Sequence, residues 1–349
     1  MPNDWLDTQH HKGAKIDNHS VLHFGDAVAE LQAAKDGTVL ADLSYLGLVR
    51  VEGDDAKDFL QSQFSNDIQQ VNESLSQLSS YCTPKGRMLA LMRVLYTPDG
   101  YLLLLPRELL PGFIKRLQMF ILRAKVQLSH DDTMLAFGLS GQKAVDLLQK
   151  VGLQAPTEQN AGSKHNDIML SRIDAGNDRG QDRFLLVGPH KDMATLWDTL
   201  SSADATAVGA PVWRWLDIQA GAPNIYSQTV ESFVPQMANL EILNGVNFKK
   251  GCYPGQEIVA RMQYLGKLKQ RMVRLHSNDN ITVQPGDRIY AKSFGDNAAG
   301  TVVDAQAAPG GGVDLLAVAQ IKSAEAGDLC LETTDGPALN IESLPYSLA

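Results

Sequence analysis

Six short runs after Lys269 constrain the fold more than any other feature of the chain. "RMVRLH", "DRIYA", "GTVVDA", "VDLLAVAQI", "DLCLET" and "LNIESL" are short and apolar-alternating, and Pro-Gly, Gly-Asp and Gly-Gly-Gly breaks separate them. Alternation with a period of two marks half-buried strands. Six strands at this spacing predict a small barrel or sandwich at the C-terminal end, with a boundary near residues 265–272.

Upstream the pattern changes to strands alternating with amphipathic helices. "TVLADLS" and "LGLVRVEG" read as strands, and "DDAKDFLQSQF" places Ala56, Phe59, Leu60 and Phe64 at helical spacing. Strand-rich segments broken by Pro-Lys-Gly and Pro-Asp-Gly turns follow. "RELLPGFIKRLQMFILRAK" predicts a helix burying Leu110, Phe113, Leu117, Phe120 and Ile121. "MLAFGLSGQKAVDLLQKVGL" and "RFLLVG…HKDMATLWDTLSS" repeat the strand–helix theme. The fold class expected is α+β, in two or three domains for 349 residues. Residues 1–24 are expected to be a flexible tail. "MPNDWLDTQHHKGAKIDNHS" lacks the apolar core of a signal peptide, and runs such as "LLLL" are far too short to cross a bilayer. The expected compartment is the reduced cytoplasm, with no membrane partner.

Formal net charge is −9, which argues against a protein that coats nucleic acid through its overall field. The charge is uneven. From Ser277 onward ten acids face Arg288, Lys292 and Lys322, giving −7. From Ile258 to Ser277 there is no acid, while Arg261, Lys267, Lys269, Arg271 and Arg274 are present. This run is either an ordinary solvated surface or an anion site. Five cations without interleaved aromatic clusters make direct nucleic-acid binding a poor fit.

The basic run adjoins "FKKGCYPGQEIVARM", residues 248 to 262. The three cysteines, Cys82, Cys252 and Cys330, are too few and too widely spaced for a disulfide framework, a zinc site or a cubane cluster held by this chain alone. Cys82 and Cys330 read as packing residues. Cys252 differs. A helix expected from about Pro254 to Gln263 would place it at a helix N-terminus, where free N–H groups and a partial positive charge stabilise a thiolate. Lys249 and Lys250 would add cations, and Gly251 and Gly255 would permit close approach of a ligand. The alternative is a tight strand-to-helix turn with an inert cysteine. Gln256 and Glu257 either orient a ligand or cap the helix.

"VWRWLDIQAGAPNI", "FVPQMANLEILNGVNFKKGCYPGQEIVARMQYLGKLKQR" and "YCTPKGRML" together resemble the YgfZ family. These are folate-binding relatives of the glycine cleavage system T-protein that act in iron–sulfur protein maintenance and tRNA modification. The signature is Lys250 to Glu257. The resemblance spans about residues 25–345 and is tightest from 211 to 271. It implies two interleaved ferredoxin-like, T-protein-like lobes around a central folate pocket (25–268) and a C-terminal β-barrel (269–349).

The resemblance makes Lys250 and Cys252 the functionally sensitive pair. Tetrahydrofolate or a derivative is the implied ligand. Tyr253, Gln256, Glu257 and Arg261 come with the signature. Gln236 and Asn239 are implied pocket amides. Asn66 and Asp67 of "QFSNDI" face the pocket or turn the chain. Arg214 lies near folate or in a structural salt bridge. The basic run suits the glutamate tail of folate. The implied partners are iron–sulfur client enzymes such as tRNA methylthiotransferases, with transient cluster contact through Cys252.

Two departures from the T-protein matter. Leu89 and Ala90 stand where its Gly-Gly-x-x-Asp-Asp-Leu stretch carries acids, and neither can move a proton. Its glutamate-bearing loop looks altered near "GNDRGQDRF". The implied role is an accessory factor; the alternative is an aminomethyltransferase or demethylase. Any activity would be folate-dependent one-carbon transfer or thiol redox chemistry.

Overall fold

The structure, a computed structural model, describes residues 3–173 and 181–348. The expected glutamate-loop departure, "GNDRGQDRF", falls largely on residues 174–180 and so lies outside the described residues. The chain forms two compact units, which interleave along the sequence.

The first unit comprises residues 1–56, 70–77 and 93–216. Its larger sheet orders Gly162–His165, Ile168–Ile173, Arg183–Pro189, Met134–Gly141, Thr38–Asp42 and Thr206–Val208. All neighbours are antiparallel except the last pair, where Thr206–Val208 runs parallel to Thr38–Asp42. Phe137, Leu139, Phe184 and Leu186 bury their side chains against Leu147 and Leu148 of Ala144–Lys150 and against Met193 and Trp197 of His190–Ser202.

The expected flexible tail belongs to this core. Asn3–His11 is a helix, and Trp5 is buried with its ring 5.1 Å from Phe137 and 5.5 Å from Trp197. Its indole N–H donates to Asp42 at 2.6 Å. Burial of an indole with a satisfied N–H outweighs the entropy of a free end. The polar sequence around Trp5 concealed this.

A second sheet in this unit runs through Gly100–Pro106, Leu46–Glu52 and Gln127–Asp131, with Arg93–Thr97 pairing on Gly100–Pro106. The predicted Pro-Asp-Gly hairpin is present. A Cβ on Gly100 would lie 2.1 Å from the carbonyl oxygen of Val51, so the turn requires glycine. The helix Leu110–Gln118 buries Leu110, Phe113 and Leu117 as expected. It ends earlier than its sequence suggests. Turns bonded from Met119, Phe120 and Ile121 back to residues 116–118 tighten the end, and Phe120 is exposed.

The second unit comprises residues 57–69, 78–92 and 217–349. All six strands expected after Lys269 appear, in the order Leu329–Leu331, Arg288–Ala291, Gly295–Ala307, Val313–Gln320, Gln270–Ser277 and Asn340–Glu342. Every pair is antiparallel, in a curled half-barrel. Leu275, Ile289, Val302, Leu315 and Ala317 fill its core. The compact unit also takes in residues 217–264 and the two upstream segments, so the change at 265–272 is one of secondary structure within it.

Candidate functional site

Lys250 is the most constrained residue of the signature. Its side chain is buried, and its ammonium donates to the carbonyl oxygens of Gln61 at 2.6 Å, Phe64 at 2.5 Å and Asn66 at 3.0 Å. These carbonyls belong to the last turn of the helix Ala56–Gln63 and the residues just after it. A helix leaves its final carbonyls unpaired and carries partial negative charge at that end. This helix has no basic residue in its own last turn. Lys250 supplies the missing cation from elsewhere in the chain. Asp67 adds a favourable charge, while burial pushes the lysine pKa down to about 8. With three protons in three hydrogen bonds, the ammonium has no lone pair to offer a substrate.

Tyr253 packs beside it, its ring centroid 5.3 Å from Lys250 Nζ. Tyr253 is buried, and burial pushes its phenol pKa upward. Gln256 Nε2 donates to the carbonyls of Lys250 at 3.4 Å and Gly251 at 3.5 Å. The stretch between is therefore pinned at both ends, and Cys252 in its middle is exposed.

The helix begins later than expected, at Gln256, and runs to Tyr264. Gly255 takes φ +84°, a left-handed conformation that a helix cannot include, so the chain cannot be helical from Pro254. Cys252 therefore stands three residues ahead of the cap residue, and Lys250 spends its charge on carbonyls. A Cβ on Gly255 would lie 2.4 Å from Thr83 O and 2.7 Å from Gly86 Cα. The two motifs noted in the sequence, Thr-Pro-Lys-Gly and Tyr-Pro-Gly-Gln, thus meet backbone to backbone. Cys82, one residue before that turn, is fully buried, and burial pushes its thiol up to about 12.

Asn66 and Asp67 lie against the Lys250 clamp. Asn66 Nδ2 donates to Leu78 O at 2.8 Å and Asn244 O at 2.7 Å, and its Oδ1 accepts from Asp67 N. Asp67 Oδ1 accepts from Gln61 Nε2 at 2.9 Å. Gln236 is buried beneath the signature helix and donates to Val259 O at 2.6 Å. Asn239 is buried with φ +58° and donates to Met272 O at 3.0 Å. Gln236 Oε1 and Asn239 Oδ1 are buried without a partner among the described residues.

The family model described as the GCVT N-terminal domain matches residues 8–250. A protein named tRNA-modifying protein YgfZ from Colwellia psychrerythraea is 30% identical over 316 residues, covering 89% of this chain and 94% of that protein. The chain belongs to the YgfZ family. A YgfZ protein from an Enterobacter species is 31% identical, with 88% and 93% covered. The crystal structure of the glycine cleavage system aminomethyltransferase T from Bartonella henselae superposes with a TM-score of 0.79 at 18% identity, covering 99% of this chain and 97% of that one. That likeness establishes a shared α+β fold.

The residues expected at the site do not all share one place. Lys250, Tyr253, Gln256, Asn66 and Asp67 converge, whereas Glu257 and Arg261 form an exposed ion pair of 2.7 Å one turn apart on the helix surface. Arg214 is half-buried on the helix Ala210–Gln219, in the first unit. Much of the basic run is already paired: Arg271 with Glu241 at 2.6 Å and Arg274 with Glu342 at 3.9 Å. Lys267 and Lys269 remain exposed with no carboxylate partner among the described residues. Leu89 is half-buried and Ala90 fully buried, so this strand presents no carboxylate there. The sequence reading missed Gln61 and Phe64, which act through main-chain carbonyls. The one available signal was the base-free end of the helix Ala56–Gln63.

Among the described residues, no group of three or more His, Cys, Asp or Glu could hold a metal ion, and no helix is long and apolar enough to cross a membrane.

Proposed function

We propose that this chain is a tetrahydrofolate-binding accessory protein that supports the assembly, repair or activity of iron–sulfur enzymes, including those that methylthiolate tRNA. Cys252 is its reactive thiol. The observation that carries the reading is the pinned loop: Lys250, Tyr253 and Gln256 are held, while Cys252 between them stays open to a partner. Relatives named tRNA-modifying proteins support the tRNA end of the reading, and the fold shared with an aminomethyltransferase supports the folate end.

The residues present fit a reduced pterin. Gln236 Oε1 and Asn239 Oδ1 are buried acceptors lacking donors, and a pterin carries N–H donors. Asn66, Asp67, Tyr253 and Gln256, which converge around Lys250, complete the proposed contacts. Bound tetrahydrofolate would supply a one-carbon acceptor. Leu89 and Ala90 offer no group to move a proton, so aminomethyl transfer is not the proposed reaction. Cys252 would contact a client's cluster, or attack a client's disulfide, forming a mixed disulfide and releasing the client's other sulfur as a thiolate.

The test is a strain whose only copy carries Cys252→Ala. Methylthiolated tRNA and cluster-enzyme activity are expected to fall while tetrahydrofolate binding by the purified variant is retained. Wild-type levels of both in that strain would refute the thiol role. Failure of the wild-type protein to bind tetrahydrofolate in calorimetry would refute the folate role separately.

A further inference from the structure

The first unit contains a cavity of about 400 Å³ that none of the residues discussed above for folate or thiol chemistry lines. Its polar wall consists of Arg107, His130, His19, His190 and Asp132, with Ser44 at the base. Trp5, Leu6, Leu110 and Met134 supply its apolar lining. The volume lies in the range of small-molecule sites, and the lining has their usual character of apolar walls with a few placed polar groups.

The hydrogen bonds decide what such a ligand must be. Arg107 is fixed by its own N–H on Tyr45 O at 2.9 Å, and its Nε donates to Ser44 O at 3.0 Å. Its Nη1 lies 3.2 Å from His130 Nε2. A guanidinium only donates, so His130 Nε2 accepts, the imidazole is neutral, and its proton sits on Nδ1. Burial, then the Arg107 charge, pushes the His130 pKa down, in keeping with that assignment. Arg107 Nη2 and His130 Nδ1–H therefore have no acceptor among the described residues.

Of the acids nearby, Asp42 has its oxygens engaged by Trp5 Nε1 and Ser44 N. Asp131 is held by Arg50 and Thr133. Asp132 is exposed and forms no ion pair with Arg107. His19, from the tight turn after Lys15–Asp17, acts electrostatically on His130, and His190 opens the helix His190–Ser202. The histidines do not form a metal cluster. Unused donors together with apolar lining call for an anionic head on an apolar body.

We infer that this cavity binds a small organic anion, a carboxylate or a phosphate ester with an apolar or aromatic body. The head group takes Arg107 Nη2, whose neighbouring Nη1 is held by His130, and the body lies against Trp5 and Leu110. The site rests on the first unit alone and is independent of the reading of Cys252.

The test titrates the full chain with benzoate, phenyl phosphate and benzyl alcohol, following the histidine side-chain signals by NMR. Saturable shifts of His130 are expected with one or both anions and not with the alcohol; the tighter anion names the head group. Arg107→Gln should weaken binding at least tenfold. Asp132→Asn, a surface change that removes the carboxylate lining the cavity, should tighten it several-fold, and it decides the matter if Arg107→Gln does not fold. Equal binding of the alcohol, absence of a saturable shift with either anion, or an unchanged affinity in Asp132→Asn would overturn the inference.

Discussion

The Lys250 ammonium sits 2.5 Å from the carbonyl oxygen of Phe64, a residue 186 positions earlier in the chain. This one contact, with its companions on Gln61 and Asn66, ties the signature loop to the end of a helix. A substitution at Lys250 should therefore act on stability before it acts on chemistry. Lys250→Met strips three carbonyls of their donor, and bonds to charged groups are worth about 1.5–3 kcal/mol each before non-additivity. The expected loss is ~2–4 kcal/mol in urea unfolding. A change under about 0.5 kcal/mol, the scale of an ordinary surface substitution, would contradict the clamp.

The same lysine predicts a pH dependence. Burial lowers its pKa to about 8 in the folded chain, against an ordinary 10.5. Between those values the unfolded chain holds one more proton than the folded chain at this site. The pH-linked part of its contribution is complete above 10.5 and lost as pH falls through about 8. Wild type should therefore gain on Lys250→Met as pH rises through that window, by up to about 1.4 kcal/mol per pH unit. Urea midpoints of both proteins at half-unit steps test this. A gap between them that does not vary with pH would reject it.

Two glycines of the signature should behave differently. Gly255→Ala meets both a positive φ and a Cβ 2.4 Å from Thr83 O, and should cost ~2–4 kcal/mol. Gly251→Ala meets nothing within 4 Å and should stay within about 0.5 kcal/mol. Thermal melts of the pair are sufficient. Equal effects would mean that the approach of the two turns is not as tight as described.

The cysteines should separate by reactivity. Cys252 is exposed, Cys330 half-buried, and Cys82 fully buried with its thiol pushed up to about 12. A disulfide reagent should find a single fast thiol in the native protein, absent in Cys252→Ala, and all three after unfolding. Cys252→Ala should change stability by less than about 0.5 kcal/mol. A fast phase that survives in Cys252→Ala would place the accessible thiol elsewhere.

What the sequence determined by itself is local. The six strands after Lys269 were legible because alternation and glycine-rich turns are short-range signals, and the half-barrel follows from them. The Pro-Asp-Gly hairpin, the buried stripe Leu110–Phe113–Leu117 and the inertness of Cys82 were legible for the same reason. The signature is visible as a motif, although its helix starts later than the residue spacing implies, because a glycine's φ is not written in its neighbours.

Only the tertiary structure decided what the motif residues touch. Lys250 reads as a cation for a nearby thiol until the helix end near Phe64 is brought to it. The acceptors there are main-chain carbonyls, which every residue carries, so no residue type announces them. Trp5 reads as part of a tail until Phe137 and Trp197 close around it. In both cases the deciding contacts are with residues more than a hundred positions away, which local periodicity does not encode.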